Sequence, residues 1–156
     1  MEKRDFEGIV PALITPMDRE GALHEESLRA VFEFNVESGV HGFWVAGGTG
    51  ESILLSDGEN RRIAEIVSDQ NRGRVKNIMH VGAPTTERAV ALARYAASVG
   101  VEAICCIPPF FYRRTDEEIV EHYRAVGDAA GLPLFVYNLP SATRVEITPA
   151  LIEKIQ

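Results

Sequence analysis

The stretch Phe43-Trp44-Val45-Ala46-Gly47-Gly48-Thr49-Gly50-Glu51 joins a short apolar run to a glycine-rich loop. Glycine permits positive φ angles and close backbone approach. Consecutive N–H groups in residues 47–51, here called the glycine loop, can therefore converge on an anion such as a carboxylate. No Gly-Lys-Ser/Thr sequence follows, which excludes a nucleotide P-loop. The stretch predicts a strand that ends in either an anion-binding loop or a plain tight turn to a helix.

Apolar runs like residues 41–46 recur along the chain about thirty residues apart, which is the spacing of strand-plus-helix units. The other runs are residues 8–14, 76–81, 101–107 and 132–137. Most are continuous rather than alternating, as in parallel strands that are covered on both faces. The segments between them carry helix signals, namely capping boxes that begin at Ser56 and Thr115 and the helix-ending glycines Gly39, Gly100 and Gly131.

This pattern predicts an α/β fold in a single domain over residues 1–156, with five strands, four helices and the start of a fifth helix at Thr148-Pro149. Two architectures fit: a doubly wound open sheet and a partial TIM (β/α)8 barrel. The first run is followed by Thr15-Pro16-Met17-Asp18 rather than Gly-x-Gly-x-x-Gly, which weakens a dinucleotide-binding sheet. Five strands cannot close an eight-stranded barrel, so we expect either a fragment or a chain that a partner completes.

Composition and charge argue against several kinds of partner. The net charge of −7 at pH 7 disfavours nucleic acid, and no apolar stretch reaches the roughly 20 residues that span a bilayer. The charged segment 1–5 lacks the adjoining apolar region of a secretory signal, and the adjacent Cys105 and Cys106 suit a reducing compartment. The four histidines share no metal-ligand spacing. We therefore expect a cytoplasmic protein with no metal, no membrane contact and no nucleic-acid partner.

Tyr137 ends the last apolar run, in Tyr137-Asn138-Leu139-Pro140. Because barrel active sites are built where the carboxyl ends of parallel strands meet, we expect Tyr137 and the glycine loop at one rim. A phenol there can relay a proton, although a tyrosine on a buried strand is usually core. His80 is interpreted as a hydrogen-bonded structural residue. The aromatic cluster of residues 110–112 either packs between loops or subunits or forms a wall of the site.

Taken together, these motifs resemble the N-acetylneuraminate lyase and dihydrodipicolinate synthase family. The resemblance is carried, in order and spacing, by the residues 8–16, the glycine loop, His80-Val81-Gly82, Pro109-Phe110-Phe111 and Tyr137-Asn138-Leu139-Pro140. It implies a (β/α)8 barrel about twice as long as this chain, of which these residues form the N-terminal part. It also implies a homo-oligomer, typically a homotetramer, and a class I lyase or aldolase that forms a Schiff base with a 2-oxo acid, usually pyruvate, and needs no cofactor.

The resemblance assigns roles to individual residues. Thr49 matches the family threonine that binds the pyruvate carboxylate, with help from the backbone amides of Gly48 and Thr49, and Tyr137 matches the proton-relay tyrosine. The family's Schiff-base lysine lies on the strand after Tyr137. Lys3, Lys76 and Lys154 do not correspond to it, so a polypeptide of residues 1–156 alone is expected to be inactive.

Three departures from the synthase pattern favour a lyase that acts on N-acetylneuraminate or another 2-oxo sugar acid. The synthases have a threonine where Gly48 stands, a tyrosine where Phe111 stands and a substrate-binding arginine where Ala142 stands, while Arg144 occupies a usual glycine position. Three other interpretations stay open. Within the family, the chain could belong to a dihydrodipicolinate synthase or a sugar-acid dehydratase. It could also be a non-catalytic truncated relative or fragment that binds a 2-oxo acid or needs a partner chain, or an unrelated α/β binding module.

Overall fold

The computed structural model describes residues 6–156, so the prediction for the charged segment 1–5 lies outside the described residues. Strands and helices alternate in the order that the apolar runs predicted. The strands are β1 (Gly42–Val45), β2 (Lys76–His80), β3 (Ala103–Cys106) and β4 (Leu134–Val136). The helices are α1 (Glu25–Glu37), α2 (Asp57–Asn71), α3 (Thr86–Ser98), α4 (Asp116–Ala130), α5 (Pro140–Thr143) and α6 (Pro149–Ile155).

The four strands form one parallel sheet in the order β1-β2-β3-β4. The register pairs Trp44 with Ile78, His80 with Cys105, and Cys105 with Phe135. Because every strand runs in the same direction, the carboxyl ends of all four lie at one edge of the sheet. The glycine loop follows β1 and Tyr137 follows β4, so both begin at that edge, as the sequence predicted.

The first predicted strand, residues 8–14, is present only as an extended segment beside β1. It makes a single parallel bridge, between Ala12 and Trp44. The Leu13 N–H donates to the Trp44 carbonyl at 2.9 Å, and the Trp44 N–H donates to the Pro11 carbonyl at 2.9 Å. Proline has no N–H to donate and a fixed φ, so Pro11 interrupts the regular ladder that would have made a full strand.

The predicted helix boundaries are confirmed by the observed caps. Ser56 and Thr115 each form a reciprocal capping box, with Glu59 and Glu118 respectively, and the Thr148 side chain caps α6. Gly39, Gly100 and Gly131 have φ values of 83°, 91° and 62°, the left-handed region where L side chains are disfavoured. The short helix α5 was not predicted.

Each strand presents alternate side chains to two faces of the sheet. The face toward the helices belongs to the main core and includes Phe43, Met79, Ile104 and Cys106. The opposite face carries a smaller cluster of Ile78, Ala103 and Cys105, against which Trp44, Phe135 and Tyr137 pack. The neighbouring Cys105 and Cys106 therefore point in opposite directions and are both free thiols, as predicted for residues that cannot pair. Burial raises the pKa of both thiols.

No helix within residues 6–156 is long and apolar enough to cross a bilayer. The same residues contain no group of three or more His, Cys, Asp or Glu side chains placed to hold a metal ion.

Candidate active site at the carboxyl edge of the sheet

A cavity of about 300 Å³ opens at the carboxyl edge of the sheet. Its walls come from the loop after β1, the ends of β2 and β3, and the segment after β4. The lining residues are Gly47, Gly48, Glu51, Ser52, Ile53, Leu54, His80, Ile107, Tyr137, Leu139 and Ala142. A mostly apolar cavity with a few convergent polar groups is the usual form of a small-molecule site, and we call this one the edge cavity.

The glycine loop has this shape because its backbone passes close to neighbouring atoms. A Cβ atom on Gly47 would lie 2.7 Å from Cδ1 of Trp44, and one on Gly50 would lie 2.8 Å from the Cα of Ala46. The residues at the two ends of the loop are strained, since Ala46 has a φ of 50° and Glu51 a φ of 56°. Strain of this kind persists only where the surrounding contacts fix the conformation, and it is found most often at ligand sites.

The structure places Gly48 and Thr49 differently. Gly48 lines the edge cavity, and a Cβ atom on it would meet no atom within 4 Å, so the space beside it is open. Thr49 is exposed and is not among the lining residues. The geometry thus brings Gly48 and Tyr137 to one cavity, while the carboxylate-binding role of Thr49 stays a prediction.

Tyr137 is half-buried and lines the same cavity as the glycine loop. Its N–H donates to the Cys106 carbonyl at 2.9 Å, which continues the pairing of β3 with β4 by one residue. Its ring packs edge-on against Trp44, with centroids 5.9 Å apart and an interplanar angle of 64°. Because a Cβ atom on Gly47 would lie 2.7 Å from Cδ1 of Trp44, the same indole lies close to both the loop and the phenol.

His80, the last residue of β2, is buried at the base of the cavity with 3% of its surface exposed. Its Nδ1 lies 3.0 Å from the Ser52 hydroxyl, and the backbone of Ala46 lies near the ring. Burial lowers the pKa of His80 to about 4, so the imidazole is neutral near pH 7. The prediction of a hydrogen-bonded structural histidine is confirmed. Sequence reasoning missed Ser52, because no local pattern marks its pairing with His80.

Neither of the two lysines within residues 6–156 lines the edge cavity. Lys76 begins β2 and therefore lies at the amino end of the strand that ends in His80. Lys154 is an exposed residue of α6. Lys3 lies outside the described residues.

The aromatic cluster of residues 110–112 does not form a wall of the edge cavity. Phe111 and Tyr112 are 86% and 69% exposed and pack against each other with ring centroids 5.0 Å apart. They line a separate groove of about 380 Å³ together with Arg144, whereas Ala142 lines the edge cavity. The two positions at which the sequence departs most visibly from the synthase pattern, Ala142 and Arg144, thus face different openings.

A parallel sheet with helices on one face, an aromatic second face and a cavity at its carboxyl edge defines the β/α-barrel class of fold. The sequence matches the Dihydrodipicolinate synthetase family over residues 5–156. The chain therefore belongs to this family.

Comparison with individual proteins agrees with this assignment. The N-acetylneuraminate lyase of Citrobacter koseri is 41% identical over 146 residues, which cover 93% of this chain and 49% of the lyase. A catalytic lysine mutant of the Ruminococcus gnavus sialic acid aldolase superimposes with a TM-score of 0.95 at 29% identity, covering 99% of this chain and 51% of the aldolase.

A third relative is a prophage protein of the dihydrodipicolinic acid synthase family from Escherichia coli K12, solved in complex with pyruvate. It superimposes with a TM-score of 0.92 at 27% identity, covering 96% of this chain and 50% of that protein. The chain spans about half the length of the curated relatives it matches. Its fold is that of part of a TIM (β/α)8 barrel, and the prediction of a partial barrel is confirmed.

Proposed function

We propose that this chain supplies the 2-oxo acid site of a pyruvate-dependent class I lyase that cleaves sugar acids such as N-acetylneuraminate. The observation that carries this proposal is that Gly48 and Tyr137 line one cavity. Similarity to N-acetylneuraminate lyases at 39–41% identity supports the substrate class. The pyruvate complex of the Escherichia coli prophage protein supports a 2-oxo acid as the ligand.

The chemistry follows from the groups at the cavity. The N–H groups of the glycine loop and the Thr49 hydroxyl bind the carboxylate of the 2-oxo acid, since converging backbone amides stabilise an anion. The keto carbon then lies toward Tyr137, whose phenol relays protons as the imine forms and the C–C bond breaks. A protonated imine is an electron sink that stabilises the carbanion equivalent left by cleavage. The lysine that forms this imine comes from outside residues 6–156.

Ala142 favours a lyase over a dihydrodipicolinate synthase. It presents only a methyl group to the edge cavity, at the position where the resemblance expects a synthase to hold its second substrate's carboxylate with arginine. Gly48 offers no hydroxyl, and Phe111 lies on a different groove. An apolar wall here suits a neutral sugar-derived aldehyde better than a second anionic substrate.

Binding of pyruvate to the chain tests this proposal through the fluorescence of Trp44, the only tryptophan in the sequence. We expect pyruvate to change the emission with a saturable, reversible profile. Replacing Thr49 by Ala should weaken binding about tenfold, because a hydrogen bond to a charged group is lost. Ser98→Ala, which removes a hydroxyl from the far end of α3, is the matched control and should bind like the wild type.

Two outcomes contradict the proposal: no saturable pyruvate signal, or equal affinities for wild type and Thr49→Ala. Borohydride added to the pyruvate complex of residues 1–156 should leave the intact mass unchanged, since neither lysine of the described part lines the cavity. A stoichiometric pyruvyl adduct on one of these lysines would show that the imine-forming lysine lies within this chain, contrary to the proposal.

A further inference from the structure

His80 contacts both ends of the glycine loop. Its Nδ1 lies 3.0 Å from the Oγ of Ser52, the residue that follows the loop. The backbone of Ala46, the residue that precedes the loop, lies near the ring and partly offsets the lowering of its pKa by burial. One side chain at the end of β2 therefore bonds to the residue after the glycine loop and lies near the residue before it.

The imidazole is held in place by close packing. A Cβ atom on Gly82 would lie 2.7 Å from His80 Nε2 and 2.7 Å from Cγ1 of Ile107, so glycine is needed there for the ring to fit. Ser52 is fixed as well, because Nδ2 of Asn60 on α2 donates to its carbonyl at 3.0 Å. The His80–Ser52 contact therefore joins two parts of the molecule that are each anchored separately.

The loop needs such an anchor. Ala46 and Glu51 both hold left-handed φ angles that alanine and glutamate disfavour. Within the loop, the Thr15 hydroxyl donates to the Gly50 carbonyl at 2.7 Å, while Gly48 and Thr49 at the tip are exposed. The hydrogen bond to residue 52 and the close approach to residue 46 are suited to stabilise the strained ends and to fix the direction in which the tip amides point.

We propose that His80 is a positioning residue, which through Ala46 and Ser52 holds the glycine loop with its N–H groups directed at the 2-oxo acid beside Tyr137. This inference rests on the proposed function. The imidazole must act as donor and acceptor at once. In the proposed arrangement Nδ1 accepts from the Ser52 hydroxyl, and the proton on Nε2 is directed toward the Ala46 carbonyl. Only the neutral ring with its proton on Nε2 satisfies both contacts.

Two-dimensional long-range ¹H–¹⁵N NMR of His80 at pH 7 tests the tautomer directly. We expect the ¹⁵N shift of Nε2 to be that of a protonated nitrogen and the shift of Nδ1 to be that of an acceptor. A ring protonated on Nδ1, or on both nitrogens, would overturn the proposal. This NMR measurement needs no ligand, so it tests the tautomer of His80 whether or not pyruvate binds.

Variants of Ser52 test the effect on the site. Ser52→Ala should lower pyruvate affinity about tenfold and raise the ps–ns mobility of the amides of residues 47–51, whereas Ser52→Thr, which keeps the hydroxyl, should restore both. Ser98→Ala again serves as control, and circular dichroism verifies that each variant is folded.

The proposal is overturned if folded Ser52→Ala keeps the loop ordered, or if Ser52→Thr shows the same defects as Ser52→Ala. A wild type that does not bind pyruvate would instead contradict the proposed function. The tautomer and the loop mobility would then still decide the role of His80.

Discussion

The phenol of Tyr137 is the group that carries the proposed proton relay. It lines an edge cavity whose other walls are largely apolar, and its ring packs against Trp44 at 5.9 Å. No charged side chain other than Glu51 shares this cavity. A single hydroxyl at this point should therefore matter for proton transfer far more than for the stability of the fold.

Replacing Tyr137 by Phe should lower kcat for sugar-acid cleavage by roughly 10²–10⁴-fold, the usual contribution of a general acid–base group. The measurement needs an enzyme with the lysine in place. A chimera of residues 1–156 with the remaining half of the Citrobacter koseri lyase offers one, since the two sequences are 41% identical over the shared half. The matched control is Tyr112→Phe, which removes an exposed hydroxyl outside the edge cavity. Equal losses in the two variants would count against the relay.

Among the elements, α2 shows how strongly local sequence determines structure. Its Ser56 side chain accepts from the Glu59 N–H at 3.2 Å, while Oε2 of Glu59 accepts from the Ser56 N–H at 2.8 Å. These two bonds satisfy backbone donors that the first turn of any helix leaves without partners. All the atoms involved lie within four consecutive residues, and for that reason the sequence alone predicted this cap.

Replacing Ser56 by Ala should lower the free energy of unfolding by about 1 kcal/mol, the typical cost of losing an N-cap side chain. Urea unfolding followed by circular dichroism measures the change. Ser98→Ala, a serine at the opposite end of a helix, should cost clearly less. If both variants unfold at the same urea concentration, the capping box contributes nothing.

Elements that depend on contacts distant in sequence were predicted less well. The composition of the extended segment 8–14 predicts a strand, but Pro11 interrupts its hydrogen bonding with β1. The helix α5 has only four residues and no capping side chain, so its sequence carries too few helix signals for a prediction. The Ser52–His80 contact joins residues 28 positions apart, and only the parallel alignment of β1 and β2 brings them together. The rim position of Gly48 and Tyr137 was predictable because strand direction alone determines it.

For the whole molecule, two buried histidines make stability depend on pH. Burial lowers the pKa of both His80 and His122 to about 4, against about 6.5 in an unfolded chain. Below pH 6.5 these two histidines bind protons in the unfolded state but not in the folded state. Stability should therefore fall as the pH drops from 6.5 toward 4, by up to about 3 kcal/mol for each histidine.

The unfolding free energy at pH 6.5 and at pH 4.5 checks this prediction. At pH 4.5 the carboxyl of Glu33 is still ionised in the folded state, since Arg74 lowers its pKa to about 2. A His122→Gln variant should lose roughly half of the pH dependence. A stability that is unchanged between the two pH values would show that these imidazoles are not buried as neutral rings.

The proposed function requires the glycine loop and Tyr137 to form two sides of one 2-oxo acid site. An NMR titration of the chain with pyruvate tests it most directly, with the backbone amides and tyrosine ring signals assigned. We expect the amides of Gly48 and Thr49 and the ring of Tyr137 to shift together along one saturation curve, while the ring of Tyr112 stays unchanged. Shifts confined to the loop, to the tyrosine, or to a different part of the molecule would contradict it.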